Sequence, residues 1–196
     1  MQWKRFGLYV AGAAILASSA AGAYALRYER QEKALVEDLR QGGYVLYLRH
    51  ADRFKGERET LGLGSPLSAF DDCSQQRNLT PYGEAEAMLL GETFRRWDVG
   101  FDRIIANPLC RTRQTAMLVF GRTETDIRLY DPRFVRTMLA IPPRAGLNTV
   151  LVGSESQLRD IIGVQIEPAE VAVFQPNGKG GFSLVGRLAP DEWLSD

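Results

Sequence analysis

Three short apolar runs constrain this chain more than anything else in it: "YVLYL" (residues 44–48), "DRIIA" (102–106) and "NTVLVG" (148–153). Each is too brief for a stable helix and each runs directly into polar residues, the pattern of strands buried on both faces of a parallel sheet. Helical spacing fills the gaps between them. "RYERQEKALVEDLRQGG" repeats apolar residues at Ala34, Leu35 and Leu39 and stops at Gly42-Gly43, a usual helix terminator. Thr80 offers an N-cap and Pro81 a first helical position, predicting a helix to about Trp97 with Ala85, Met88, Leu89 and Phe94 on its core face. "CRTRQTAMLVF" reads as the next helix, "DIRLY" as a brief third strand, and Phe134 to Ala140 as a proline-flanked helix. "EVAVFQPNGKGGFSLVGRL" alternates on both sides of a Gly- and Asn-rich turn, which signals a hairpin. The expectation is one α/β domain: three layers, a largely parallel central sheet, helices on both faces and a C-terminal β-hairpin.

The domain is expected to occupy residues 27–196, because residues 1–26 carry a different signal. Lys4 and Arg5 precede an uncharged run that lasts to Leu26. At roughly 20 residues it could serve as a membrane tether through residues 6–26, and Ala23-Tyr24-Ala25 also fits a small-x-small cleavage site. Either way it predicts export, to the periplasm or to the outer face of a bacterial inner membrane. Export in turn permits a disulfide, and the two cysteines, Cys73 and Cys110, each lie close to a segment with chemical content; a bridge and two separate thiols are both open. With 24 basic and 24 acidic residues there is no overall field to draw nucleic acid. Any anion must be met locally.

The chemistry is expected where an open α/β sheet binds ligands, beyond the carboxyl ends of its strands. Three loops there carry informative residues: Arg49, His50 and Arg53; Asn107, Arg111 and Arg113; Gly153, Ser154 and Glu155. His50 is the single histidine of the chain. Arginine forks match phosphate oxygens two at a time, and a neutral imidazole between them is a plausible nucleophile. One histidine and two cysteines without short spacing fall below the usual metal-ligand patterns, so neither a metal nor another cofactor is expected.

The ordered set "LRHA", "RNLTPYGEAEA" and "NPLCRTRQTA" resembles the signature segments of the histidine phosphatase superfamily, the phosphoglycerate mutase-like fold. "CSQQRNLT", "LCRTRQTA", "NTVLVG" and "AVFQPNGKGGFSLVGRLAPDEW" further resemble its small exported bacterial members. The resemblance implies that Arg49 and Arg111 bind phosphate, that His50 is transiently phosphorylated, and that Arg77 and Asn78 reach substrate. It also implies a second histidine after the "LVG" strand; here that position is Ser154. For the acid that protonates the leaving oxygen the resemblance gives no clear counterpart, with Asp52 and Asp131 as weak candidates and Glu155 beside the altered position.

Two functions follow. The first is a phosphomonoester hydrolase acting through phosphohistidine on His50, impaired or specialised by Ser154, with a small phosphorylated substrate and no nucleic-acid partner. The second is an inactive pseudophosphatase that binds a phosphate ligand or serves as an envelope interaction module. The long polar segment from Ala51 to Asn78, either a functional loop or disordered, is expected to shape the entrance.

Overall fold

The computed structural model describes residue 30 and residues 33–56, 60–163 and 165–190. Two compact units divide between Glu37 and Asp38, and everything below concerns the second. The expected leader or tether at residues 1–26, and the boundary after it, lie outside the described residues. Among the described residues no helix is long and apolar enough to cross a membrane.

Among the described residues six strands form one sheet. In chain order they are β1 (Val45–Arg49), β2 (Phe101–Ala106), β3 (Glu124–Thr125), β4 (Asn148–Gly153), β5 (Val171–Pro176) and β6 (Phe182–Leu188), laid out as β3-β2-β4-β1-β5-β6. The pairs β2–β3, β2–β4 and β1–β4 are parallel, while β1–β5 and the β5–β6 hairpin are antiparallel. β4 has a strand on either side and all of its residues are buried, which is why "NTVLVG" has no polar alternation.

The helices α1 (Pro81–Arg96), α2 (Cys110–Phe120), α3 (Pro132–Leu139) and α4 (Glu155–Ile162) cover the two faces. Val45, Tyr47, Ile105, Leu151, Ala172 and Phe174 turn to one face and meet Val135, Leu139, Leu158 and Ile161 of α3 and α4 in one core. Alternation sends Leu46, Leu48, Ile104, Val150 and Val152 to the other face, also buried. That is the side of α1 and α2, whose Phe94 and Val119 lie beside Ile104. Burial of each large aliphatic side chain contributes about 1.5–3 kcal/mol.

Three expectations need correction. Within α1 the buried residues are Gly83, Glu86, Ala87, Leu90, Gly91, Thr93 and Phe94, so of the expected face only Phe94 is right; Met88 is 47% exposed. The reason is close backbone approach: a Cβ on Gly91 would lie 2.6 Å from the Val119 carbonyl oxygen, so α1 turns Gly91, not its bulkiest residues, toward α2. "DIRLY" is not a strand, because the Asp126 side chain accepts from the Arg128 N–H and winds Ile127–Tyr130 into a 3-10 turn; the short strand β3 precedes it. The proline-flanked helix starts two residues early, at Pro132 capped by Asp131. The segment from Ala51 to Asn78 contains two 3-10 turns, Leu67–Phe70 and Cys73–Gln75.

Candidate active site

The parallel register brings the three loops together. His50 N–H donates to the Gly153 carbonyl (3.0 Å) and Asn107 N–H to the Val152 carbonyl (3.1 Å), so the chain leaves β1, β4 and β2 side by side. A cavity of about 460 Å³ opens there, lined by Arg49, His50, Arg53, Arg77, Arg111 and Ser154 together with Glu155 and Arg159.

His50 sits at the end of β1, 3% exposed. Its Nδ1 lies 2.9 Å from the Ala51 carbonyl oxygen. A carbonyl only accepts, so Nδ1 carries the proton and the lone pair of the neutral ring is on Nε2. Burial, then the charge of Arg111, with Arg49 and Arg53 adding to it, pushes the imidazole pKa down from 6.5 to about 3; the Ala51 hydrogen bond opposes this and loses. The ring is therefore uncharged at neutral pH.

Arg49 donates through Nη1 to the Ile166 carbonyl, while its Nε is buried without a hydrogen-bond partner. A buried donor left so costs on the order of 1–3 kcal/mol, which marks a place for an anion. Arg111, 4% exposed, enters from the first turn of α2 and reaches the Arg77 carbonyl through Nη1 at 3.5 Å.

The segment around Arg111 is fixed residue by residue. Asn107 Oδ1 accepts from Leu109 N–H (3.2 Å) and from the Thr112 hydroxyl (2.6 Å), which sets the start of α2. Arg113 points away from the cavity and donates to the Phe70 carbonyl (3.0 Å); Gln114 donates to Glu84 of α1 (2.6 Å). The Thr115 hydroxyl accepts from Ala51 N–H (3.2 Å), tying α2 to the residue after the nucleophile candidate. Cys73 and Cys110 form a disulfide with Cα atoms 5.8 Å apart, and Gln76 Oε1 accepts from Cys110 N–H (2.9 Å). The loop carrying Arg77 is thus clamped to the helix carrying Arg111.

The turn after His50 is held by α1. Asp52 N–H donates to Glu86 (3.0 Å), and Asp52 Oδ2 accepts from the Thr80 hydroxyl (2.8 Å), which also caps α1 by accepting from Gly83 N–H (3.0 Å). A Cβ on Gly83 would meet the Asp52 carbonyl oxygen at 2.1 Å, so only glycine lets this turn lie against the helix. Burial, and to a smaller degree the neighbouring Asp52 carboxylate, raises the Glu86 pKa despite the Asp52 N–H bond that opposes it.

Ser154 stands at the N-terminus of α4. Its N–H donates to Gln157 Oε1 (3.1 Å) and its carbonyl accepts from the Tyr47 hydroxyl (2.9 Å). Tyr47 is buried among the core, and that burial raises its pKa. Glu155, the next residue, pairs with Arg159 at 3.2 Å.

Of the residues singled out in the sequence, the structure brings Arg49, His50, Arg53, Arg77, Arg111, Ser154 and Glu155 to one cavity. Asp52 and Asp131 line other surroundings: Asp52 is engaged with Thr80, and Asp131 caps α3 and pairs with Arg133 at 2.9 Å. Asn78 donates to the Cys73 carbonyl (2.8 Å) and lies on a different depression of the surface. Sequence reasoning missed Arg159 and Gln157. Their signal was the i,i+4 spacing of Glu155 and Arg159 and the i,i+3 spacing of Ser154 and Gln157, once a helix starts at Glu155. Among the described residues no group of His, Cys, Asp or Glu could hold a metal ion.

The sequence profile of the histidine phosphatase superfamily (branch 1) matches residues 73–134. No curated protein sequence matches the chain. Solved structures share its fold at low identity. The protein histidine phosphatase SixA complexed with tungstate is 14% identical, with a TM-score of 0.56 over 76% of this chain and 97% of that one. A phosphoserine phosphatase mutant from Entamoeba histolytica bound to phosphoserine is 12% identical, with a TM-score of 0.51 over 76% of this chain and 98% of that one. The profile match falls on the disulfide loop, α1, β2 and α2, the elements that carry Arg77 and Arg111, and the sheet has the fold of these phosphatases.

Proposed function

We propose that the chain is a phosphomonoester hydrolase that works through a phosphohistidine on His50. The observation that carries this reading is a neutral imidazole, fixed with its Nδ1 proton on the Ala51 carbonyl and lining a cavity between Arg49 and Arg111. In the first step Nε2 attacks phosphorus while the bond to the ester oxygen breaks. Arg49 and Arg111 hold the equatorial oxygens, where charge is spread in the transition state. The departing oxygen takes a proton from the carboxylic acid form of Glu155, whose side chain lines the cavity, leaving the carboxylate that pairs with Arg159. Water then attacks the phosphoryl group, gives a proton back to Glu155, and the P–N bond breaks to release orthophosphate and neutral His50. Both steps are phosphoryl transfers, so the same two arginines serve each.

Ser154 supports a slower or more specialised enzyme. With its N–H and carbonyl engaged by Gln157 and Tyr47, only a short uncharged hydroxyl is left to meet a phosphate oxygen. Loss of one preorganised donor typically costs about 10²–10³ in rate. The same observation favours the second reading, a pseudophosphatase that keeps the anion site and has lost turnover.

The two readings part on one assay. Full-length chain is offered p-nitrophenyl phosphate beside its His50→Ala variant, with thermal stability measured in orthophosphate or vanadate. Turnover lost in the variant supports the hydrolase. Anion stabilisation of the wild type without turnover supports the pseudophosphatase. Export remains part of this proposal: the disulfide is suited to an oxidising compartment, and proteolytic mapping of the mature N-terminus from a native host tests it.

A further inference from the structure

The peptide unit between Ala51 and Asp52 has a hydrogen bond at each end, and both ends matter to His50. Its carbonyl oxygen lies 2.9 Å from His50 Nδ1, and its N–H donates to Glu86 Oε2 at 3.0 Å. Glu86, peptide and imidazole therefore stand in one chain of bonds. A peptide N–H that donates to a carboxyl oxygen leaves its own carbonyl oxygen more negative, because hydrogen bonds in series polarise one another. The oxygen that faces the Nδ1 proton becomes the stronger acceptor. Both residues are buried, Ala51 at 0% exposed and Glu86 at 5%, so bulk water does not replace either bond.

Glu86 stands on α1, one turn after Gly83, the residue whose missing Cβ lets the Asp52 carbonyl lie against the helix. Thr80 holds Asp52 from the helix cap, with its N–H on the Asp52 carbonyl (3.1 Å) and its hydroxyl on Asp52 Oδ2 (2.8 Å). Those bonds fix the Asp52 side chain and the peptide that follows it. The peptide that precedes it, the one facing the imidazole, is held by Glu86. Burying an acid to meet one backbone N–H is costly, and Thr80 already straps turn to helix. The ring is where the bond has a use. Burial, Arg111, Arg49 and Arg53 all disfavour positive charge on His50, yet attack by Nε2 on phosphorus with the proton kept on Nδ1 leaves the ring positive. Glu86 does not line the cavity, so its route to the ring is the peptide.

We propose that Glu86 is a positioning residue: by holding the Ala51–Asp52 peptide it keeps the His50 proton on Nδ1 and the lone pair on Nε2, ready for phosphorus. This deepens the hydrolase reading of His50, but its first test needs no turnover. His50 is the single histidine, so its tautomer can be read in the full-length chain, prepared without a histidine tag and with the ring nitrogens isotopically labelled. In a proton–nitrogen correlation spectrum at neutral pH, a ring nitrogen that carries the proton is widely separated from one that carries a lone pair. Glu86→Leu removes the acceptor. Glu86→Gln keeps an acceptor oxygen without the acid. Thr93→Val removes another buried polar group from the same helix, one bonded to Arg96 instead (3.0 Å).

A charge-assisted hydrogen bond supports a ratio of about tenfold or more. The wild type should show the Nδ1–H tautomer in at least about tenfold excess, Glu86→Leu should bring that ratio to within about threefold of unity, and Glu86→Gln and Thr93→Val should keep it above about fivefold. Glu86→Met, equally unable to accept, replaces Glu86→Leu if the latter does not fold. With p-nitrophenyl phosphate, Glu86→Leu should lower kcat by about tenfold or more and leave KM within about threefold, since the arginines are untouched. An Nε2–H tautomer in the wild type, a ratio unchanged in Glu86→Leu, or a ratio lost equally in Thr93→Val would overturn the proposal. A ratio lost in Glu86→Leu with kcat unchanged would leave the placement of the ring standing and remove His50 as the nucleophile.

Discussion

The two sides of the cavity are built differently. On one side, His50 and Arg111 are buried and their backbones are locked: His50 by β4, Ala51 by Thr115, and the start of α2 by Asn107, Gln76 and the disulfide. On the other, the first turn of α4 offers Ser154, Glu155 and Arg159, polar groups that are partly exposed and largely engaged with one another. On the proposed reading the first side is a preorganised anion site with a nucleophile. The second resembles an ordinary helix start, with Ser154 at the N-cap of α4. Chemistry is thus expected to depend steeply on the first side and to be adjustable on the second.

The largest effect tests that asymmetry head on. Arg111→Met should lower kcat/KM by about 10²–10³, since it removes a donor preorganised at the developing charge, whereas Gln157→Ala should lower it by less than about tenfold. Comparable losses from both would break the contrast. Ser154→His should raise the rate on p-nitrophenyl phosphate by up to about 10² if only the missing donor limits the second side; no gain would show that the surroundings of α4 have changed with it. Stopped assays with a single phosphoryl substrate measure both.

The clamp on the first side has a stability that can be measured by itself. The bridge closes a sequence separation of 37 residues, worth about 3–4 kcal/mol on loop entropy. Cys73→Ser/Cys110→Ser should therefore lower the urea midpoint by the corresponding amount, and an unchanged midpoint would mean that Gln76 and the α2 cap hold the loop unaided. Glu155→Gln should cost more with an alkyl phosphate, whose leaving oxygen needs a proton, than with p-nitrophenyl phosphate; equal losses would take the proton donor away from the second side.

The smallest expected change is itself diagnostic. As the single histidine, His50 gives one unambiguous imidazole signal. With its pKa lowered from 6.5 to about 3, the Cε1–H resonance should not move between pH 8 and 5. The sign for stability follows. Below about pH 6.5 the unfolded chain binds a proton that the folded chain refuses, so this residue makes the fold less stable as pH falls from about 6.5 to about 3, and no further below that. His50→Gln should flatten that part of the profile. A resonance titrating near 6.5 would contradict the neutral, arginine-flanked ring.

Much of the first side was legible in the sequence because its signals are local. Buried apolar runs give the strands, and "NPLCRTRQTA" after one of them gives an arginine at a helix start. The face of α1 was not, because Gly83 and Gly91 are buried by the approach of other backbones, which no pattern of apolar residues announces. "DIRLY" alternates like a strand, but one Asp126 side-chain hydrogen bond to a backbone N–H turns it. Asp52 and Asp131 looked available as acids because their partners, Thr80 and Arg133, are visible only once the chain is folded. Arg159 reaches the cavity from the second turn of a short helix, a distance that the sequence gives only after the start of that helix is known.

The most direct measurement is a rapid quench of the full-length chain with a phosphate ester, in alkali to preserve any phosphoramidate, followed by peptide mass mapping. The account predicts a phosphoryl group on His50 that is lost in acid and does not form in Arg111→Met. Turnover that proceeds with His50 unmodified, or that persists in His50→Ala, would contradict it.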